Sequence, residues 1–165
     1  MKIAVTDTNI FIYLIKANLL RGLFEIGYEV HTTNLVLHEL GEEGNKLLEQ
    51  YISDGKLTVY SFSMNEIQQI EKIILPNGLS FEDKGIYFYV TFWNGPILLT
   101  NDGLLRKTSI KKEIEVHGIL WVLDILFEEK TFSSQDLADG LKKMLAGYHR
   151  LPMAECEIRL KAWGN

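Results

Sequence analysis

Two acidic residues follow short apolar runs of the sequence. Asp7 comes two residues after the apolar run at residues 3–5, and Asp102 follows a later run at residues 96–99, with Thr100 and Asn101 between them. If both runs are parallel strands, their carboxyl ends lie at one edge of a sheet, which is where α/β proteins bind ligands. Neighbouring strands would then bring the two carboxylates together across 95 positions of sequence. Because carboxylate oxygens are preferred ligands of Mg²⁺ and Mn²⁺, this pattern predicts divalent-metal chemistry.

Two further acids, Glu39 and Asp83, fall in stretches with helical periodicity, and all four acids also have purely structural interpretations. A carboxylate at the position of Asp7 or Asp102 could cap the free N–H groups at a helix start. Asp83 lies three residues after Ser80, the spacing of a capping box. Glu39 could simply be an exposed helix residue. Taken singly, none of the four is specific for catalysis.

Short apolar runs alternate with segments of helical periodicity along the chain. Apolar residues three or four apart mark the helices, and short apolar stretches bounded by turn residues mark the strands. The pattern predicts a three-layer α/β fold, with a central parallel sheet of about four or five strands and helices on both faces. The predicted strands are residues 3–5, 28–31, 57–60, 96–99 and 115–117. Between the first two, four apolar residues predict a helix: Leu19, Leu20, Leu23 and Phe24.

The domain organisation follows from the absence of repeats, low-complexity tracts and Pro/Gly/Ser linkers in the sequence. A length of 165 residues suits one domain with its own core, so we expect a single domain over residues 1–165. Helical periodicity continues through residues 119–128 and 134–146 and resumes after Pro152. Residues 130–165 are therefore predicted to be a helical C-terminal extension, whose apolar stripe suits core packing or a homodimer contact.

The charge balance restricts the kinds of nucleic-acid contact. A net charge of −5 argues against a protein that coats nucleic acid through a broad basic surface. A local basic cluster could still bind phosphates at the rim of an acidic centre, or could be an ordinary solvated helix face. Its members, the candidate nucleic-acid-binding residues, are Arg106, Lys107, Lys111 and Lys112.

The cysteine count and the first residues bear on location. The single cysteine, Cys156, cannot form an internal disulfide and suits a reducing compartment. The apolar run at the start is interrupted by Asp7 before it reaches the roughly 20 residues of a membrane span, and it lacks a basic leader. We therefore expect a cytoplasmic protein with no membrane segment.

Five segments of the sequence, taken in order, resemble the successive motifs of PIN-domain nucleases. The resemblance runs from residue 1 to about residue 128. It identifies Asp7, Glu39, Asp83 and Asp102 as the four acids of the family's active site, in chain order, with Asn9 and Thr100 as supporting polar residues. The segments are IAVTDTNIFIYL, TTNLVLHELGEE, LSFEDKGIYFYV, LLTNDGLLRKTS and EVHGILWVLDIL.

The resemblance implies a metal-dependent endoribonuclease that hydrolyses single-stranded RNA and leaves 5′-phosphate and 3′-hydroxyl ends. Its four acids are the candidate catalytic residues and the candidate ligands of Mg²⁺ or Mn²⁺, with Asp7 and Asp102 foremost because they follow strands. A short PIN protein also resembles the toxin half of a bacterial or archaeal type II toxin–antitoxin pair. That would imply a small antitoxin protein as partner.

Two other functions compete with this interpretation. The chain could be a PIN-like fold that acts as a non-catalytic RNA- or protein-binding regulatory module, which metal titration would separate from an enzyme. It could also be a different Mg²⁺-dependent phosphate enzyme of doubly wound fold, but Asp7-Thr8-Asn9 lacks the second aspartate of one such phosphatase pattern. Zinc-ligand spacing and glycine-rich phosphate loops are absent from the sequence.

Overall fold

The computed structural model describes residues 1–147 and 150–164. Five strands form one parallel sheet in the order β3-β2-β1-β4-β5, which confirms the predicted fold class. The central strand carries Ala4 and Val5, consecutive residues that point to opposite faces, and both are fully buried. Helices therefore cover both faces of the sheet. The strands are β1 (Ile3–Thr6), β2 (Glu29–Thr33), β3 (Leu57–Tyr60), β4 (Ile97–Leu99) and β5 (Glu115–His117).

Several helices begin at the caps that the sequence suggests. Ser80 and Asp83 form a reciprocal capping box at the start of α4, and Asp102 caps α5 through the Leu105 N–H. The helices are α1 (Thr8–Lys16), α2 (Asn34–Ser53), α3 (Met64–Lys72), α4 (Phe81–Val90), α5 (Gly103–Ile110), α6 (Ile119–Glu128), α7 (Ser134–Gly147) and α8 (Met153–Trp163).

The segment between β1 and β2 differs from the sequence-based expectation. The predicted helix around Leu19–Phe24 is a short 3-10 helix, Leu20–Glu25, and the longer helix is α1, which precedes it. Residues of α1 are buried on most sides, so its sequence lacks the polar face that reveals an amphipathic helix. Asn18, in the left-handed region with φ 58°, then separates the two. The spacing of the apolar residues was compatible with helix, but it did not distinguish the 3-10 form.

Helix α2 is kinked at Gly41. This glycine has φ 79° and ψ 179°, a conformation that is essentially restricted to glycine. The kink is stabilised by Asn45, whose Nδ2 donates to the Leu37 carbonyl oxygen at 2.9 Å. Because Gly41 lies two residues after Glu39, the kink lets the first half of α2 orient Glu39 independently of the second half.

The C-terminal helices pack on the same core as the rest of the chain. Leu137 and Leu141 of α7 and Cys156 of α8 are fully buried in that core. Helix α8 is also tied to α6, because Arg159 makes a bidentate ion pair with Asp124 at 2.7 and 2.6 Å. The described residues of this C-terminal segment, 130–147 and 150–164, thus pack on the core that the rest of the chain forms. In residues 1–147 and 150–164, no helix is long and apolar enough to cross a membrane.

Candidate active site

Asp7 stands at the centre of the site, where β1 and β4 end side by side. Thr6 pairs with Leu99 in the sheet, and the Asp7 N–H donates to the Leu99 carbonyl oxygen at 3.0 Å. Asp7 and Thr100 therefore leave neighbouring strands at the same edge. The Asp7 residue is only 2% exposed, so its carboxylate is held inside the protein and not on its surface.

Three hydrogen bonds fix the Asp7 carboxylate. Its Oδ1 accepts from the Thr8 N–H at 2.7 Å, and its Oδ2 accepts from Asn9 Nδ2 at 2.8 Å and from Thr100 Oγ1 at 2.7 Å. Thr100 Oγ1 in turn accepts from the Asp102 N–H at 3.0 Å. The two residues that the resemblance assigned as supporting, Asn9 and Thr100, thus contact Asp7 directly, and Thr100 connects it to Asp102.

Glu39 joins the site through Thr8. The buried Thr8 hydroxyl donates to Glu39 Oε2 at 2.5 Å, although 31 positions separate the two residues. Glu39 itself is exposed to solvent. Sequence reasoning missed Thr8 as a functional residue. The only signal for it was its place between the two polar residues Asp7 and Asn9.

The helix-capping interpretation of the acids and the active-site interpretation are both compatible with this geometry. Asp83 Oδ2 accepts from the Ser80 N–H at 2.8 Å, and Asp102 Oδ1 accepts from the Leu105 N–H at 2.7 Å. Each cap uses one carboxylate oxygen. In the part of the chain that the structure describes, the other oxygen of Asp83, of Asp102 and of Glu39 accepts no hydrogen bond, so each acid keeps an oxygen for a ligand.

The pKa of the Asp7 carboxyl is raised from 3.8 to about 7, chiefly by burial and also by the charges of Asp83 and Glu39, against the hydrogen bonds from Thr100 and Thr8. Burial also raises the pKa of Asp83, with a contribution from the charge of Asp102 and against its capping hydrogen bonds. These mutual effects show that the four acids from four different elements share one electrostatic environment. None of the ion pairs among the described residues involves any of them.

The donor set fits a hard divalent cation in its chemistry. All the available atoms are carboxylate oxygens, and a cation would compensate the buried charge of Asp7. As the side chains stand, no three Asp, Glu, His or Cys groups of residues 1–147 and 150–164 converge closely enough to hold an ion. The capping bonds of Asp83 and Asp102 hold these side chains to their own helices, which gives a physical reason for their separation.

Asn101 is a second residue that sequence reasoning missed. Its backbone N–H donates to Asn9 Oδ1 at 3.0 Å, and its Oδ1 accepts from the Ile119 N–H at 2.7 Å. Gly118 allows this close approach, because a Cβ there would lie 2.8 Å from Asn101 Oδ1. Asn101 thereby joins α1, the end of β4 and the start of α6 around the site.

The structure does not keep the predicted basic cluster together. Arg106 lines a cavity beside Thr100 and Asn101, next to the acids. Lys107 and Lys111 are exposed near the C-terminal end of α5. Lys112 lines a different cavity with Lys2 and Pro96, at the amino ends of the strands. Of the four, only Arg106 is placed beside the acidic residues by these contacts.

The comparisons with known proteins agree with this fold. A PIN-domain family model, DUF3368, matches residues 3–165, so the chain belongs to the PIN-domain family. The match includes the C-terminal helices. Among individual proteins, the chain is similar to "Endoribonuclease Nob1" of Methanocaldococcus jannaschii, with 30% identity over 148 residues. The alignment covers 87% of this chain and 68% of that protein.

Proposed function

We propose that this protein is a metal-dependent endoribonuclease that hydrolyses phosphodiester bonds of single-stranded RNA. The observation that carries the proposal is a group of four acids from separate elements, the buried Asp7 among them, without a single ion pair to a protein cation in the described chain. Such a site is costly for folding, because buried carboxylate charge is unfavourable without compensation. Membership of the PIN-domain family and the similarity to an endoribonuclease support the reaction type.

We assign Asp7, Asp83 and Asp102 as the residues that hold Mg²⁺ or Mn²⁺, with Glu39 beside them. When bound, such an ion stabilises negative charge on the phosphate and lowers the pKa of water. The Asp7 carboxylate needs no rearrangement to take part, since three hydrogen bonds already fix it. Asp83 and Asp102 each offer the oxygen that helix capping leaves available.

Glu39 is the acid we assign to the attacking water. Thr8 holds one of its carboxylate oxygens, which leaves Oε1 to accept a proton from that water. The water oxygen forms a bond to phosphorus as the bond to the 3′ oxygen breaks, and the 3′ oxygen takes up a proton from solvent. The products are a 5′-phosphate and a 3′-hydroxyl. Arg106, beside Thr100, is placed to contact an adjacent phosphate.

A toxin role is a finer proposal that rests on the sequence motifs. In that role the protein would act in the cytoplasm, and a small antitoxin would inhibit it by covering the acidic cleft. Purification together with the product of a neighbouring gene, followed by its removal, tests this. Loss of inhibition on removal is the expected result, and unchanged cleavage in both states would contradict it.

A non-catalytic binding module is the second candidate function. It is favoured by the lack of three convergent metal ligands in the described residues as they stand. Turnover separates it from the nuclease, because a binding module would hold RNA without cutting it.

The test of the nuclease is cleavage of single-stranded RNA by purified protein with Mg²⁺ or Mn²⁺, stopped by EDTA. Asp102→Asn removes a ligand charge, so we expect the rate to fall about 100-fold or more. Glu128→Gln, an exposed carboxylate at the end of α6, is the matched control and should leave the rate nearly unchanged. Equal residual cleavage by wild type and Asp102→Asn would mean contamination and would favour the binding module.

A further inference from the structure

Two adjacent cavities extend away from the acidic residues along the carboxyl ends of β4 and β5. The first, of about 270 Å³, is lined by Asn9, Asp102, Asn101 and Arg150. The second, of about 380 Å³, shares Asn101 and Arg150 with it. The second cavity also reaches Arg106, His117 and Trp121. We call these two cavities together the lateral groove. Asp102, one of the four acids, lines the first cavity, so a chain bound at Asp102 lies at the start of the groove.

Three arginines and three carboxylates line the groove, and two of the arginines make no ion pair with the described residues. Arg159, which also lines it, is neutralised by its bidentate ion pair with Asp124 and by Glu155 at 3.7 Å. Arg106 and Arg150 are exposed, and their guanidinium groups make no ion pair and no hydrogen bond with the described residues. Two free guanidinium groups beside an acidic cleft suit a ligand that carries its own phosphates, because guanidinium binds phosphate oxygens in a bidentate manner.

The second cavity is also lined by a stacked ring pair. The His117 and Trp121 rings lie 4.0 Å apart, with 12° between their planes. Both residues are half-buried, so part of the pair faces the groove. Aromatic and imidazole faces stack on the unpaired bases of single-stranded RNA, and they do so with little dependence on sequence.

We propose that the lateral groove is a subsite for a nucleotide of single-stranded RNA next to the scissile phosphate. Arg106 and Arg150 contact its flanking phosphates, and the His117–Trp121 pair stacks on its base. The volume of the second cavity lies in the lower part of the range of roughly 300–1,000 Å³ that is typical of ligand sites. The inference rests on the proposed function only for the identity of the ligand.

Binding of a fluorescein-labelled hexauridine tests the role of the two arginines, Arg106 and Arg150. Anisotropy is measured with Mg²⁺ in an Asp102→Asn background, which prevents cleavage. Arg106→Ala with Arg150→Ala should weaken binding at least 10-fold and reduce the slope of log K against log salt by about 1.4, since each single-strand phosphate contact contributes about 0.7. Lys112→Ala removes one positive charge at the amino ends of the strands and should change neither quantity. An unchanged slope in the double variant would overturn the subsite.

Substitutions of His117 test whether the His117–Trp121 pair stacks on a base. His117→Ala should weaken hexauridine binding about 5-fold or more, because base stacking is worth about 1–3 kcal/mol. His117→Phe keeps an aromatic face and should restore most of the affinity, which a merely structural role of the imidazole would not predict. Thermal melting of both variants checks that they are folded. Equal affinity of His117→Ala, His117→Phe and wild type would remove the ring pair from the subsite.

Cleavage kinetics separate this inference from the proposed function. If wild type cuts RNA and the arginine variants keep its KM for hexauridine, the subsite is wrong and the nuclease stands. If wild type does not cut RNA, the nuclease is wrong, and the anisotropy slopes still decide whether the groove binds RNA. If the arginine variants bind RNA normally but no longer retain a protein partner, the groove is a protein-docking surface and the subsite is refuted.

Discussion

The two ends of the parallel sheet differ in what they offer a ligand. At the amino ends, a cavity of about 690 Å³ is lined by residues that include Lys2, Trp93 and Lys112. This cavity is larger than either of those at the carboxyl ends, of about 380 and 270 Å³. Judged by volume alone, the amino ends would be the stronger candidate for a binding site.

The charges reverse that judgement. Lys2 and Lys112 are exposed at the amino ends, where water solvates them at little cost. At the carboxyl ends, Asp7 is buried and three hydrogen bonds hold it in place. A group kept in an electrostatically unfavourable place needs a reason outside folding. In this sheet, the cost of burying a charge therefore distinguishes the two ends better than the size of a cavity does.

The largest expected difference between the two ends is the effect of Asp7 on the pH dependence of the free energy of unfolding without metal. The pKa of Asp7 is about 7 in the folded state and 3.8 when unperturbed, so the folded state binds the proton more tightly. The stabilising contribution is complete below pH 3.8 and is lost as the pH rises to about 7. The change corresponds to at most about 4 kcal/mol.

Chemical denaturation in EDTA, repeated from pH 4 to pH 8, measures this effect. The free energy of unfolding of wild type should fall over that interval relative to Asp7→Asn, which has no proton to lose at this position. Lys112→Ala, the control from the amino ends, should follow wild type. Parallel curves for wild type and Asp7→Asn would show that burial of Asp7 carries no such cost.

A smaller effect is expected when the Thr8 hydroxyl is removed. This hydroxyl contacts Glu39 at the carboxyl ends of the strands. Thr8→Val keeps the shape of the side chain but removes the hydroxyl that donates to Glu39 Oε2. The loss of one such hydrogen bond should cost about 1 kcal/mol of stability. Because Glu39 would lose its orientation, kcat should fall about 10-fold with little change in KM. Thr8→Ser keeps the hydroxyl and should recover most of kcat, and a Ser variant as slow as the Val variant would refute the positioning role.

Much of this end of the molecule could be predicted from the sequence because its determinants are local. Asp7 directly follows β1 and Asp102 lies three residues after the end of β4, and the parallel pairing of these two strands brings their positions together. The Ser80–Asp83 capping box is likewise visible as a spacing of three residues. For these residues, strand and helix periodicity predicts where each element ends, and the parallel α/β fold class predicts that these ends lie close together.

The parts that could not be predicted depend on contacts between distant segments. The Thr8–Glu39 hydrogen bond spans 31 positions, and Asn101 joins elements that have no sequence signal in common. The kink at Gly41 is a backbone conformation that periodicity does not reveal. The basic residues looked like one cluster because they are close in sequence, whereas α5 carries Lys112 towards the amino ends of the strands.

Mn²⁺ binding decides whether the four acids form a divalent-cation site. We propose thermal melting of metal-free protein with and without Mn²⁺. At a hundredfold excess over Kd, binding to the folded state should stabilise wild type by about 2.7 kcal/mol. For a chain of this length, that corresponds to a rise in Tm of roughly 5–10 °C.

Asp7→Asn and Asp83→Asn should each lose most of the Mn²⁺-induced rise in Tm, because each removes a ligand charge from the site. Glu113→Gln, a carboxylate that lines the cavity at the amino ends, should keep the full rise. That pattern is the result that our account predicts. An equal Mn²⁺ response in wild type, Asp7→Asn and Asp83→Asn would contradict it and remove the metal site from the carboxyl ends of the sheet.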